Sequence, residues 1–164
     1  MVILENSKRP LYQSQSKQQN YRLLLKQTRD IVSQEDDLIA NLANIAALVH
    51  QTMSFDWTGF YLVKNDELVL GPFQGPPAVA RISIGEGVCG TALLRECTIK
   101  VDDVEQFVGY VPCSELDKSE IALPAFHKGE VAVILNINSH KMKNFNETDK
   151  RCLEELMRLL EEVL

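Results

Sequence analysis

Apolar positions along this chain follow two rhythms, one helical at each end and one of period two between them. Leu24, Leu25, Thr28 and Ile31 recur at helical spacing over residues 21–31. A polar break, Ser33-Gln34-Glu35-Asp36-Asp37, separates them from a second stripe, Leu38, Leu42, Ile45 and Val49, which ends near Thr52. At the other end Leu153, Leu156, Met157 and Leu160, continued by Val163 or Leu164, mark a last helix. Asn146 is placed to cap its start, with Asp149 in the third position.

Strict alternation takes over from Asp56 to Val63. Trp57, Gly59, Tyr61 and Val63 fall on one face of a strand, and Thr58, Phe60 and Leu62 on the other. Asn65-Asp66 is a two-residue turn, with Leu68-Val69-Leu70 as the returning strand. Gly71 to Pro77 is a loop by composition. A short strand over 80–84, a short helix over 89–95 and a brief strand over 98–101 follow. Two longer strands, 120–126 and 131–137, are joined at Lys128-Gly129. In the second, Val131, Val133, Leu135 and Ile137 share one face, and Ala132, Ile134, Asn136 and Asn138 share the other. The pattern predicts an α+β fold: a central antiparallel sheet with the N- and C-terminal helices packed together on one face. Residues 21–164 form one domain, and the polar stretch 1–20 is an N-terminal extension. Residues 102–118 carry little regular pattern; a loop of that length in a compact domain is usually functional, and this one is expected to be an ordered lid.

Composition narrows the function. With 164 residues, 45% hydrophobic and 24% charged, the chain is an ordinary globular domain. A net charge of -6 argues against nucleic-acid binding, which needs clustered Lys and Arg. No apolar run approaches membrane-spanning length, and the start lacks the basic and apolar regions of a secretion signal, so a cytoplasmic location is expected. Cys89, Cys97, Cys113 and Cys152 are too sparse for a disulfide scaffold; in the cytoplasm they rest as thiols. Their spacings contain no CxxC, and His50, His127 and His140 stand apart from them, so neither a metal nor another cofactor is expected.

The distinctive stretch is Gly85-Glu86-Gly87-Val88-Cys89-Gly90-Thr91-Ala92, where glycines hold a cysteine against minimal bulk at the start of a helix. A second cysteine, Cys113, lies in the patternless loop, which closes on Ser119-Glu120-Ile121. Two thiols and an acid near one cleft are the parts needed for thiol-based redox chemistry.

These blocks, together with Asp56-Trp57-Thr58-Gly59-Phe60-Tyr61-Leu62, Leu70-Gly71-Pro72-Phe73-Gln74-Gly75 and Asp103-Val104, resemble the free methionine-(R)-sulfoxide reductases, single-domain members of the GAF superfamily. The resemblance runs from about Asn20 to the C-terminus. It implies a six-stranded antiparallel sheet between helices, and reduction of free methionine-(R)-sulfoxide through a cysteine sulfenic acid and an intramolecular disulfide, recycled by thioredoxin. It maps the catalytic cysteine onto Cys113, a second redox cysteine onto Cys89 and the acid onto Glu120. It also maps the methyl-sulfur pocket onto Trp57 and Tyr61, and the positions facing the substrate ammonium onto Asn136 and Asn138. A homodimer through the terminal helices is within the family's range.

Three departures from the family pattern keep alternatives open. Val79 stands where many members carry a third cysteine, so the resolving thiol is Cys89 or, outside the pattern, Cys97. Tyr110 and Ser114 replace a histidine and an aspartate around Cys113. Asn136 and Asn138 replace two aspartates, which removes charge-assisted bonds worth about 1.5–3 kcal/mol each. The alternatives are a catalytically impaired GAF module that binds a small ligand, and a reductase of another small sulfoxide.

Overall fold

The computed structural model describes residues 15–164. Helices α1 (Lys17–Val32) and α2 (Leu38–Met53) precede strands β1 (Trp57–Lys64), β2 (Glu67–Gln74) and β3 (Arg81–Ser83). Helix α3 (Gly87–Arg95), strand β4 (Ile99–Val101) and a 3-10 turn (Val104–Gln106) come next. Strands β5 (Ser119–His127) and β6 (Glu130–Ser139) and helix α4 (Glu147–Glu161) complete the chain. The strands form one antiparallel sheet in the order β3-β2-β1-β6-β5-β4.

Local chemistry accounts for the boundaries. Ser16 and Gln19 form a reciprocal capping box, so α1 begins at Lys17, inside the stretch read as an extension; residues 1–14 of that stretch lie outside the described residues. The buried side of α1 is Tyr21, Leu24, Thr28 and Val32, with Leu25 and Ile31 at its margins. Asp37 caps α2 through Ala40 N at 2.9 Å. Asn146 and Asp149 make a second capping box at α4. Both hairpin turns, Asn65-Asp66 and Lys128-Gly129, have positive φ at their two residues, the geometry that a twisted two-residue hairpin requires.

Alternation along β1 separates two layers of packing. Phe60 and Leu62 join the helices α1, α2 and α4 in the larger core, whose centre includes Leu24, Leu42, Ile45, Leu135 and Leu156. Trp57, Tyr61 and Val63 point the other way into a smaller apolar layer with Val88, Cys89, Leu93 and Ile134 under α3. The terminal helices do share one face, as the pattern predicts.

Two predicted details change, both at β-bulges. Gly71 and Pro72 are not a loop but part of β2, where the register against β1 slips between Gly59/Phe73 and Tyr61/Leu70. Proline is tolerated in a sheet at such a bulge, because a ladder donor is dispensable there. A second bulge lies between β5 and β6, where Ala125 pairs with Val133 and Phe126 with Val131. Ala132 is the extra residue, and it reverses the phase beyond it. Val131 therefore packs under α3, and Ala132 packs against the helices, opposite to a continuous alternation.

Candidate active site

The strands bring four short segments together on the α3 face. Helix α3 starts at Gly87, whose φ of +60° favours glycine and whose Cα packs against Val111. Gly90 is required by contact rather than by φ. A Cβ there would lie 2.3 Å from the Ser83 carbonyl oxygen and 3.1 Å from Gly85 N. These two glycines press the first turn of α3, and Cys89 with it, against β3 and the loop 102–118.

Cys89 and Cys113 line one cavity together with Glu120 and Asn136; Val79, Ile82, Glu86 and Val111 complete much of its wall. The cavity encloses about 240 Å³ including its mouth. The Cys89 thiol donates to Glu120 Oε1 at 3.8 Å, and Asn136 Nδ2 lies 4.0 Å from Cys113 Sγ. From β1, the Tyr61 hydroxyl sits between the Val79 carbonyl, at 2.8 Å, and the Cys113 sulfur. Trp57 stands behind this wall. Its ring stacks on Phe73 with centroids 5.5 Å apart, and its indole N–H donates to the Pro76 carbonyl.

The site is enclosed and acidic. Glu120 is 2% exposed, and Asn136 and Asn138 are equally enclosed. Burial, and next the charge of Asp117, push the Glu120 carboxyl up to about 8. Burial with the charges of Glu120 and Asp117 pushes the Cys113 thiol up to about 12, although the Tyr61 hydroxyl acts in the opposite sense. The Cys89 thiol is driven up as well, by burial first and then by Glu120. At neutral pH the resting site therefore holds both thiols and Glu120 protonated. A group of this kind has protons to donate but needs a reaction partner before its sulfur becomes a nucleophile.

The residues expected from sequence fall into place unevenly. Cys113, Cys89, Glu120 and Asn136 line the cavity, and Tyr61 and Asn138 touch it through Cys113 and Glu120. Trp57 belongs to the supporting layer and is absent from the cavity wall. Cys97 is exposed, two residues beyond the C-terminal end of α3, and is absent from the cavity wall. Cys152 is buried in α4 on the opposite side of the sheet.

One residue went unnoticed. Asp117 is 4% exposed, and its Oδ2 accepts from Ser114 N at 2.9 Å, Asn138 Nδ2 at 3.0 Å and the Tyr110 hydroxyl at 3.3 Å. In sequence it sits among Glu115, Leu116 and Lys118, inside the stretch 102–118 that carries little regular pattern. The one usable signal was its position three residues before Glu120 at the mouth of a strand.

Comparison with known proteins agrees with this architecture. A GAF domain family model matches residues 35–164. GAF domain-containing protein A of Dictyostelium discoideum is 46% identical over 147 residues, 89% of this chain and 93% of that protein. The free methionine-R-sulfoxide reductase of Escherichia coli is 40% identical over 135 residues, 82% of each chain. This chain belongs to the free methionine-R-sulfoxide reductase family of GAF domain proteins. In three dimensions it is similar to the free methionine-R-sulfoxide reductase of Neisseria meningitidis solved in complex with its substrate. That likeness has a TM-score of 0.89 and 42% identity, and covers 92% of this chain and 91% of that one.

Proposed function

We propose that this protein reduces free methionine-R-sulfoxide to methionine, with Cys113 as the attacking thiol. The observation that carries the reading is the enclosure of Cys113, Cys89 and a protonated Glu120 around one cavity, in a chain of this family. The Cys113 sulfur bonds to the sulfoxide sulfur while Glu120 passes its proton to the oxygen. The hydroxyl moves to the Cys113 sulfur, the thioether leaves, and the former thiol proton returns to Glu120. Cys113 is then a sulfenic acid, oxidised by the two electrons that methionine has gained. The Cys89 thiol displaces water from it to give a Cys89–Cys113 disulfide, and a dithiol protein of the thioredoxin class reduces that bond.

Cys89 is the resolving thiol on this reading, since it shares the cavity while Cys97 does not. The unpartnered oxygens of Asn136 and Asn138 are acceptors for the substrate ammonium, and Tyr61, backed by Trp57, faces the methyl-sulfur end. Reliance on thioredoxin fits a cytoplasmic protein that repairs oxidised methionine. A homodimer through the terminal helices is compatible with the reading.

The test is a coupled assay with thioredoxin, thioredoxin reductase and NADPH. NADPH should be consumed with the free (R)-sulfoxide and not with the (S)-epimer. Absence of turnover while a known reductase works in the same mixture would overturn the proposal. A second reading has support in the neutral amides at 136 and 138 and in the protonated resting thiols: a GAF module that binds a small ligand without turnover. Calorimetric binding of the sulfoxide with no consumption of NADPH would favour it. Preference for an uncharged methyl sulfoxide over methionine sulfoxide would instead indicate a different sulfoxide as substrate.

A further inference from the structure

Two buried carboxylates, Asp117 and Glu120, meet across a single amide. Asn138 Nδ2 donates to Asp117 Oδ2 at 3.0 Å and to Glu120 Oε2 at 3.3 Å. The Tyr110 hydroxyl forms a second bridge, donating to Asp117 Oδ2 at 3.3 Å and lying within hydrogen-bond reach of Glu120. Both carboxylates accept from Asn138, which fixes the orientation of that amide and leaves its Oδ1 without a partner. Two buried carboxylates that share one amide donor oppose each other's ionisation, so the pair favours holding one proton.

The hydrogen bonds decide where that proton rests. Asp117 takes a backbone N–H, the nearer approach of the amide and a hydroxyl, all on Oδ2. Glu120 takes the longer approach of the same amide, a weak thiol contact and a share of the Tyr110 hydroxyl, while the Ser114 backbone N–H goes to Asp117. We propose that Asp117 is the positioning residue of this site: its retained charge keeps the proton on Glu120, where the sulfoxide oxygen collects it. The proposal rests on the reductase reading above and adds to it a residue and a role.

The surroundings leave few rivals for this role. The titratable side chains around Glu120 are Cys89 from α3, Tyr61 from β1, and Tyr110, Cys113 and Asp117 from the loop; Glu86, before α3, lines the same cavity, but the carboxylate charge that acts on Glu120 is that of Asp117. β6 faces it with neutral Asn136 and Asn138, and β4 sets Val101 opposite it in the sheet. His140, at the end of β6, acts on Asp117 rather than on Glu120. Asp117 is thus the nearby carboxylate that holds Glu120 in its acid form, beyond the effect of burial.

The experiment exchanges the charge between two positions that touch. In the full chain, Asp117→Asn should move the alkaline limb of kcat/KM downward by about one to two pH units, because Glu120 loses its anionic neighbour. The double variant Asp117→Asn with Asn138→Asp returns a carboxylate to Glu120 and should move the limb back up. A purely structural Asp117 would lower activity at every pH with the limb unmoved, and that outcome overturns the proposal, as does a failure of the double variant to restore the limb. The titration of Glu120, followed by its infrared carboxyl band and assigned by its loss in Glu120→Gln, supplies a readout independent of turnover. A band that shifts downward in Asp117→Asn sustains the dyad even if the wild-type chain reduces no sulfoxide, in which case the reductase reading alone falls. A band that does not shift overturns the dyad whatever the activity.

Discussion

The two faces of the sheet each bury a carboxylate, and the two are treated in opposite ways. On the helix side Asp149 is fully enclosed. It receives the Lys17 ammonium at 2.7 Å, the Tyr21 hydroxyl at 2.7 Å and the Asn146 backbone N–H at 2.8 Å. On the α3 side Glu120 is just as deep but meets no cation, and it shares its best donor with a second carboxylate. Asp149 has been given its countercharge by the fold and ties α1 to the cap of α4. Glu120 has been denied one, and so keeps a proton that chemistry can use. The helix-side core and the proposed chemistry thus occupy opposite faces of the same six strands, assigned residue by residue by alternation.

The sharpest way to break this comparison is to remove one thiol. Cys113→Ser should lower turnover at least about a thousandfold while leaving the unfolding free energy within about 1 kcal/mol. Cys152→Ser, on the other face, should leave turnover nearly unchanged. Steady-state assays with denaturant titrations check both. The mirror experiment is Leu135→Ala in the helix-side core, which should cost about 2–5 kcal/mol in denaturant unfolding while folded protein keeps its kcat.

A smaller loss is expected from Asp149→Ala. It removes the reciprocal half of the α4 capping box and leaves the Tyr21 hydroxyl without its carboxylate, for about 2–3 kcal/mol at neutral pH. Glu120→Gln should go the other way. The folded-state value of Glu120 lies near 8 against an ordinary 4.5, so the native chain keeps a proton that the unfolded chain releases between those values. The stability associated with Glu120 is therefore complete below about pH 4.5 and is lost as pH rises through 8. The Gln variant escapes that loss, so it should match the wild type near pH 4.5 and exceed it by a few kcal/mol near pH 9 in parallel melts. A destabilised Gln variant at pH 9 would mean that Glu120 has a countercharge after all.

How far the sequence carried the reader can be judged from particular residues. The helix stripes, both two-residue turns and the Asn146 cap were legible because each is a local rule acting within a few positions. Cys89, Cys113 and Glu120 were singled out by motif resemblance, and the fold places all three on the wall of one cavity. The bulges were not. An extra residue such as Ala132 has no chemical mark, and Pro72 carries the signature of a turn although it stands in a strand. Asp117 was missed for a related reason. Burial of a loop carboxylate depends on what the loop folds against, here β6 and Tyr110, and nothing within three residues of Asp117 encodes that contact.

The bulge at Ala132 has a consequence for how this protein can vary. The site end of β6, from Asn138 back to Val133, is held in frame by pairing with β1 on one side and β5 on the other. The hairpin end beyond Ala132 pairs with β5 alone. The extra residue works like an expansion joint between the two lengths of strand. A change in the number of residues around Lys128-Gly129 can be taken up there, and the amides that face the cavity stay where they are.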